Sequence, residues 1–510
     1  MKDDSENISL GSLSSGQKRS LREGKKGIER EALRIDNSGC ISKESHKKYF
    51  GSALCHEYLT TDFSEALLEI VTPPFEKIVN LISFLSESHH FVSNSLKNEQ
   101  LWPLSMPPNF STEEEIQIAK YGKSNLAKFK TTYRKGLAKR YGRTMQAISG
   151  LHFNYSLPDA MWEWKYAEDF RLNKNEVYFN TIRNIHRKSW LILYLFGASP
   201  ILNKNFLNHI PNGFRSYKDS VYLPYATSLR MSHFGYQNTS QSNIEVSLNS
   251  MSEYVNDLFL LTNTKSSKFE NSNSEDLSDL PQLNDNQLQI EDEYYSMIRP
   301  KSSVASDIIP ISKLINHGVD YIELRSIDID PFSPIGIEES TLYFLEAFVL
   351  YSVFSSSPKF TRDDYQVFKK NNHIVSTKGR MKDICLQKDK EQILLKDWAS
   401  NILEEMDPFF DILSISQEWR REYFHSIQEP ENTISGKFLR TILDSSERLD
   451  DFSLRISAKN KNDFLLLSKE DNKLWESFRN ESRISLQKQK ELENEPQIDF
   501  NKFLEEYFDS

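Results

Sequence analysis

Two carboxylates two residues apart, Glu29 and Glu31 in Gly-Ile-Glu-Arg-Glu-Ala-Leu-Arg-Ile, could do chemistry together. The segment runs into Asp-Asn-Ser-Gly at 36–39, so it reads as a β-strand closed by a turn. Side chains at i and i+2 share one strand face. Carboxylates held side by side repel unless a cation sits between them, and a hard divalent ion such as Mg²⁺ prefers oxygen ligands. A lone Glu-x-Glu is more often a solvated strand face; recurrence gives this one weight. Read as a strand, 64–71 puts Glu65, Leu67 and Glu69 on one face and Ala66, Leu68 and Ile70 on the other, with Asp62 just before. In 149–158, Gly150, His152, Asn154 and Ser156 alternate with Leu151, Phe153 and Tyr155. In 320–328, Glu323 and Arg325 point one way, Ile322 and Leu324 the other. The strands that must position these groups belong to a sheet with one apolar face and one polar face, and the polar face is the expected site.

The candidate ligands are Glu29, Glu31, Asp62, Glu65, Glu69 and Glu323, with His152 the one imidazole among them. Oxygen-rich sites with a single histidine suit Mg²⁺ or Mn²⁺ better than Zn²⁺, and this set is enough for two or three ions. Such ions also bind substrate phosphates. Arg230, Arg299, Lys301 and Arg325 could supply fixed positive charge for phosphate or carboxylate, although lone arginines on strands also serve structural ion pairs. Neither a Walker A motif nor Gly-x-Gly-x-x-Gly occurs, so a bound nucleotide would rest on metals and arginines. Cys40 and Cys55 have no base near them in sequence and read as packing residues. The pair His89-His90 receives no role. Tyr133, Tyr236 and Tyr295 could line a site or fill a core.

The 510 residues carry a net charge of −10, which argues against general nucleic-acid binding but permits a local basic site. With 32 Phe, 22 Tyr and 7 Trp the chain can build a packed core. Its three cysteines form no Cys-x-x-Cys pair. The opening Met-Lys-Asp-Asp-Ser-Glu-Asn is unlike a signal peptide, and no apolar run is long enough to span a bilayer. A cytoplasmic protein without membrane or nucleic-acid partners, and a monomer, is expected. Periodicity predicts helices over 76–98, 113–147 (with Tyr133, Leu137 and Tyr141 on one face), 166–196, 339–355, 391–406, 434–445 and 472–494. The charged stretch 468–496 reads as a solvated helix face, and 264–287 as a surface loop or flap. Residues 1–20 form a polar N-terminal segment. Residues 21–510 read as one catalytic domain, with a sheet-bearing core over about 21–340 and a helical part over about 341–510.

Together these segments resemble the bacterial glutamate–cysteine ligase (γ-glutamylcysteine synthetase) type 1 family. The matching stretches are 27–35, 51–72, 101–107, 134–157, 193–200, 223–230, 235–243, 288–301 and 321–336. They include the strings Trp-Pro-Leu-Ser-Met-Pro, Tyr-Leu-Phe-Gly-Ala-Ser-Pro and Asp-Pro-Phe-Ser-Pro-Ile-Gly. The resemblance implies an α+β, glutamine-synthetase-like fold: a curved antiparallel sheet forming an active-site funnel, packed by helices, with a largely helical C-terminal third. It implies ATP-dependent ligation of glutamate to cysteine through γ-glutamyl phosphate, the first step of glutathione biosynthesis. The Mg²⁺ (or Mn²⁺) ligands it implies are Glu29, Glu31, Asp62, Glu69, His152 and Glu323. Arg325 falls near the transferred phosphoryl, while Phe63, Tyr133, Arg134, Leu137, Gln146, Tyr236 and Tyr295 fall around the cysteine substrate. Arg230 would help hold a substrate carboxylate or phosphate. Alternatives on the same fold are another carboxylate–amine ligase, a guanidino-type phosphotransferase, or a non-catalytic metal- or amino-acid-binding homologue.

Overall fold

The computed structural model describes residues 9–509 apart from 167–169, 172, 236–240, 242–243, 270–280, 305–309 and 469–471. Its centre is a seven-stranded sheet. In chain order the strands are β1 (Lys25–Asp36), β2 (Leu59–Thr61), β3 (Leu67–Val71), β4 (Glu99–Leu101), β5 (Leu151–Ser156), β6 (Ile298–Lys301) and β7 (Tyr321–Ile327). They lie in the order β6-β7-β5-β1-β3-β2, with β4 pairing the end of β1. Every pairing in this sheet is antiparallel.

The alternation read from sequence is realised. Ile28, Leu68, Ile70, Leu151, Phe153, Tyr155, Ile298, Ile322 and Leu324 are buried in one hydrophobic cluster on the back face. The helices Ile78–Ser95, Lys174–Lys188 and Trp190–Phe196 pack against it. Behind them lies Glu339–Phe354, apolar on all sides and buried along nearly its whole length, as a helix at the centre of a core must be. On β1 the opposite set, Glu29, Glu31 and Leu33, takes the front face. Leu33 and Leu67 join a second cluster with Phe63 and Leu137.

Several expected boundaries shift. The helix expected over 113–147 is a 3₁₀ turn at Glu113–Glu115, a loop, then Asn125–Tyr141, capped by Ser124 and stopped by Gly142 at φ 80°. Tyr133, Leu137 and Tyr141 do share its apolar face. The helix expected over 166–196 is two, Lys174–Lys188 and Trp190–Phe196. The one expected over 391–406 begins at Leu395, after a hairpin of Cys385–Lys388 and Glu391–Leu394. Helices Met251–Asn263, Arg362–Lys378, Gln417–Gln428, Leu449–Leu465 and Phe500–Asp509 add to those expected. The charged helix Lys473–Asn494 is not wholly solvated: Phe478 is buried against Tyr58, Phe84 and Phe91. Residues 270–280 of the expected flap over 264–287 lie outside the described residues; its described ends bridge at Lys265 and Asn286. All three cysteines are free. No helix among the described residues is long and apolar enough to cross a membrane.

Candidate active site

Strand register brings the polar residues together. Glu29 faces His152 across β1 and β5, Glu31 faces Glu69 across β1 and β3, and Glu323 faces Asn154 across β7 and β5. His152 is the hub. Its Nδ1 lies 2.9 Å from Glu29 Oε2 and 3.2 Å from Glu323 Oε1, and its Nε2 lies 3.6 Å from Glu31 Oε1. Two triads have ligand atoms within 4.8 Å of one another: Glu29, His152 and Glu323, and Glu31, Glu69 and His152. Asn154 Nδ2 donates to Glu29 Oε1 at 2.8 Å, and the Gly150 amide donates to Glu31 Oε2 at 2.7 Å.

Cations ring this cluster. Arg325 Nη1 donates to Glu323 Oε1 at 2.9 Å, and Lys301 Nζ lies 3.5 Å from Glu323 Oε2 and 3.6 Å from Asp292 Oδ1. Arg230 is buried; its Nη2 donates to the Arg325 carbonyl, and its Nη1 lies 3.6 Å from Asp328 Oδ1. Glycine at position 150 leaves room for this guanidinium: a Cβ there would sit 1.9 Å from Arg230 Nη2 and displace it. Arg299 is more enclosed, donating to Asp292 Oδ1 and to the Asp292 and Tyr294 carbonyls.

The electrostatics follow from burial and crowding. Burial raises Glu69 well above the usual carboxylate range, and the charges of Glu29, Asp62 and Glu31 add to the shift. Burial also raises Glu31, with Asp62 adding and His152, Arg230 and Arg325 opposing. Burial acts the same way on Glu323, but Lys301, Arg325 and His152 outweigh it and hold the group well below its usual value. For Glu29, burial and the charge of Glu323 are offset by His152 and Asn154, leaving it lowered. Burial and Arg325 disfavour a charged His152, yet hydrogen bonds to Glu29 and Glu323 and the charge of Glu31 raise it to about 9. Without a metal ion His152 is therefore held protonated among the carboxylates, and it would have to give up a ring proton to serve as a metal ligand. The donor set, four carboxylates and one imidazole, suits a hard divalent ion, and Glu323 Oε2 is buried with no hydrogen-bond donor of its own.

Beside this cluster, Phe63 and Leu137 are buried together with Tyr133 packed on them. Arg134 Nε donates to the Asp62 carbonyl and the guanidinium stacks 4.7 Å from the Tyr121 ring, tying the helix Asn125–Tyr141 to the edge of the sheet. Gln146 Nε2 donates to Tyr295 Oη at 2.7 Å. Tyr236 lies outside the described residues. Glu65 does not join the site. β3 begins only at Leu67, and Glu65 sits in the preceding turn, accepting from Ser45 Oγ and from the amides of His46 and Lys120. Asn154 and Asp292 were not singled out from sequence. Asn154 is on the polar face already identified; Asp292 precedes β6 in a 3₁₀ turn with no periodicity to flag it.

The glutamate–cysteine ligase family profile matches residues 10–375 of this sheet-and-helix assembly. The chain belongs to that family. It is 44% identical over 394 residues to a glutamate–cysteine ligase of Hahella chejuensis, spanning 75% of each chain. It is 38% identical over 498 residues to one of Pseudomonas paraeruginosa, spanning 94% of this chain and 93% of that one. The fold is similar to a crystal structure of a glutamate–cysteine ligase from Francisella tularensis in complex with AMP, with a TM-score of 0.89, 31% identity, and coverage of 96% of this chain and 98% of that one. A bifunctional glutathione synthetase from Pasteurella multocida shares the fold at a TM-score of 0.70 and 24% identity, over 88% of this chain and 53% of that one. In this member of the family, the matched residues carry the whole of the central sheet.

Proposed function

We propose that this chain is a glutamate–cysteine ligase: it joins the γ-carboxylate of L-glutamate to the amine of L-cysteine, with ATP converted to ADP and phosphate. Membership of the family supports the reaction, and the two ligand triads sharing His152 support its placement on the front of the sheet. The γ-carboxylate of glutamate is a poor electrophile. Phosphorylation gives γ-glutamyl phosphate, the cysteine amine attacks the acyl carbon, and phosphate leaves. The product is the dipeptide that begins glutathione biosynthesis.

In this reading Glu29, Glu31, Asp62, Glu69, His152 and Glu323 hold two or three Mg²⁺ or Mn²⁺ ions. When bound, such ions neutralise charge on the nucleotide phosphates. Arg325, held against Glu323, presents a fixed cation where charge develops on the transferring phosphoryl. Lys301 faces the same carboxylate and is the better placed of the pair Arg299 and Lys301 to meet phosphate; Arg299 orients Asp292 beside it. Arg230 braces Arg325 through its carbonyl and offers charge to a substrate carboxylate. Phe63, Leu137 and Tyr133 form the wall for the cysteine side chain, with Arg134, Gln146 and Tyr295 around it. Residues 21–510 act as one catalytic unit, monomeric and cytoplasmic.

Phosphate release from ATP tests the reading. Release is expected with glutamate and cysteine together, with γ-glutamylcysteine formed in equal amount. Phosphate release with no dipeptide, or phosphorylation of a guanidino compound instead, would contradict it.

A further inference from the structure

We propose that the back face of the sheet carries a separate site for a small monovalent anion of the halide class, built around Arg30 and His89. The residue between Glu29 and Glu31 points away from the ligand cluster. Its guanidinium is buried, and neither Nε nor Nη1 has a hydrogen-bond partner. Guanidinium is always charged in a protein, and a buried charge without a partner is costly.

Two other buried cations of β1 show the ordinary solution. Lys26 Nζ lies 2.6 Å from Glu346, and Arg34 Nη1 lies 2.7 Å from Glu99. Arg30 has no such carboxylate on its own face. Instead it lines a cavity of about 20 Å³ with His89, Gln100, Ser333, Pro334 and Lys461. That is room for one water-sized or halide-sized occupant. The cavity is polar on several sides. His89 is buried; its Nδ1 bonds the Leu85 carbonyl, and its Nε2 has no partner. Burial and Arg30 hold His89 neutral, with a pKa lowered to about 3. An anion beside the guanidinium would satisfy it, with the neutral His89 ring forming one wall of the cavity. The loop 330–336 closes over the guanidinium. Gly336, at φ 86°, brings its backbone so near that a Cβ would stand 3.3 Å from Arg30 Nε. The conspicuous Asp-Pro-Phe-Ser-Pro-Ile-Gly string thus shapes the lid of this cavity.

The test uses the full chain and bromide as the probe. Crystals grown in sodium bromide should show an anomalous peak within hydrogen-bond distance of Arg30 Nε or Nη1. In solution, sodium chloride or bromide should raise Tm saturably, by about 1–3 °C, over sodium gluconate at equal ionic strength. Arg30→Met should abolish both effects. Should that variant not fold, the wild-type peak together with the halide-over-gluconate shift still decides. Absence of bromide from the cavity, leaving it to water, or equal Tm values in halide and gluconate, would overturn the proposal.

Discussion

The two faces of the central sheet handle buried charge in opposite ways. On the back, Lys26 and Glu346 are 1% and 2% exposed and only 2.6 Å apart, with the lysine also donating to the Glu76 carbonyl. Burial pushes Glu346 up to about 7, and Lys26 limits the shift. At Lys26, as at Arg34, charge is closed within the protein and serves packing. On the front, Glu31 and Glu69 are register partners of like sign, with Glu29 and Glu323 converging on the same imidazole. Such an arrangement costs stability and is retained for what it can bind. The difference separates structural from functional charge on neighbouring residues of a single strand.

The contrast can be broken most sharply at the front. Glu31→Gln and Glu323→Gln should each lower kcat/KM by about 10³-fold or more, because each removes a carboxylate proposed to hold a metal ion, where several kcal/mol of charge stabilisation is at stake. Glu31→Gln should not lower Tm in metal-free buffer, since Glu31 is raised by burial and by Asp62; Glu323→Gln should lower it, since Lys301, Arg325 and His152 lose the carboxylate they surround. A loss of fold instead of activity would make these carboxylates structural. Arg325→Ala should come next, lowering kcat by about 10²–10³-fold, the size expected for loss of one fixed charge meeting the transition state. Arg325→Lys should recover only part of it, lacking the planar fork. An effect confined to KM would reduce Arg325 to a substrate-binding role.

The back face should respond in stability. Lys26→Met strands Glu346 and should cost about 3–5 kcal/mol by denaturant unfolding, with kcat of the folded fraction nearly unchanged. Adding Glu346→Leu should restore most of that stability. The smallest effect is in pH. In the folded protein His152 is raised from its usual 6.5 to about 9, so its contribution is fully present below 6.5 and is lost as pH rises through about 9. Glu69, raised by burial, also loses favourable protonation as pH rises. Metal-free protein should therefore lose Tm between pH 6.5 and 9, and the Mg²⁺-induced gain in Tm should grow over that window. A gain independent of pH would mean that Mg²⁺ binds away from His152.

Strand alternation made much of the site legible in sequence, because a period of two assigns each residue a face without knowledge of its partners. That was sufficient to put Glu29, Glu31, His152, Glu323 and Arg325 on one face. It failed at Glu65, where the turn at 64–66 breaks the period before β3 begins. Register is a tertiary fact, so the sharing of His152 between two triads could not be read from spacing. The same holds for Asp292, which reaches Lys301 and Arg299 from a turn. In the helical third, long apolar stripes located Glu339–Phe354 and Ile434–Ser445 well. Polar helices such as Arg362–Lys378 and Gln417–Gln428 gave weaker stripes and were missed.

The most direct test follows oxygen from glutamate. L-Glutamate carrying ¹⁸O in its γ-carboxylate should be incubated with ATP, Mg²⁺ and L-cysteine, and the released phosphate examined by mass spectrometry. Acyl-phosphate chemistry on the front of the sheet requires one labelled oxygen per phosphate in the wild-type reaction, with labelled phosphate falling in step with product in Glu323→Gln. Dipeptide formation with unlabelled phosphate would contradict that chemistry, and label transfer undiminished in Glu323→Gln would remove it from this face.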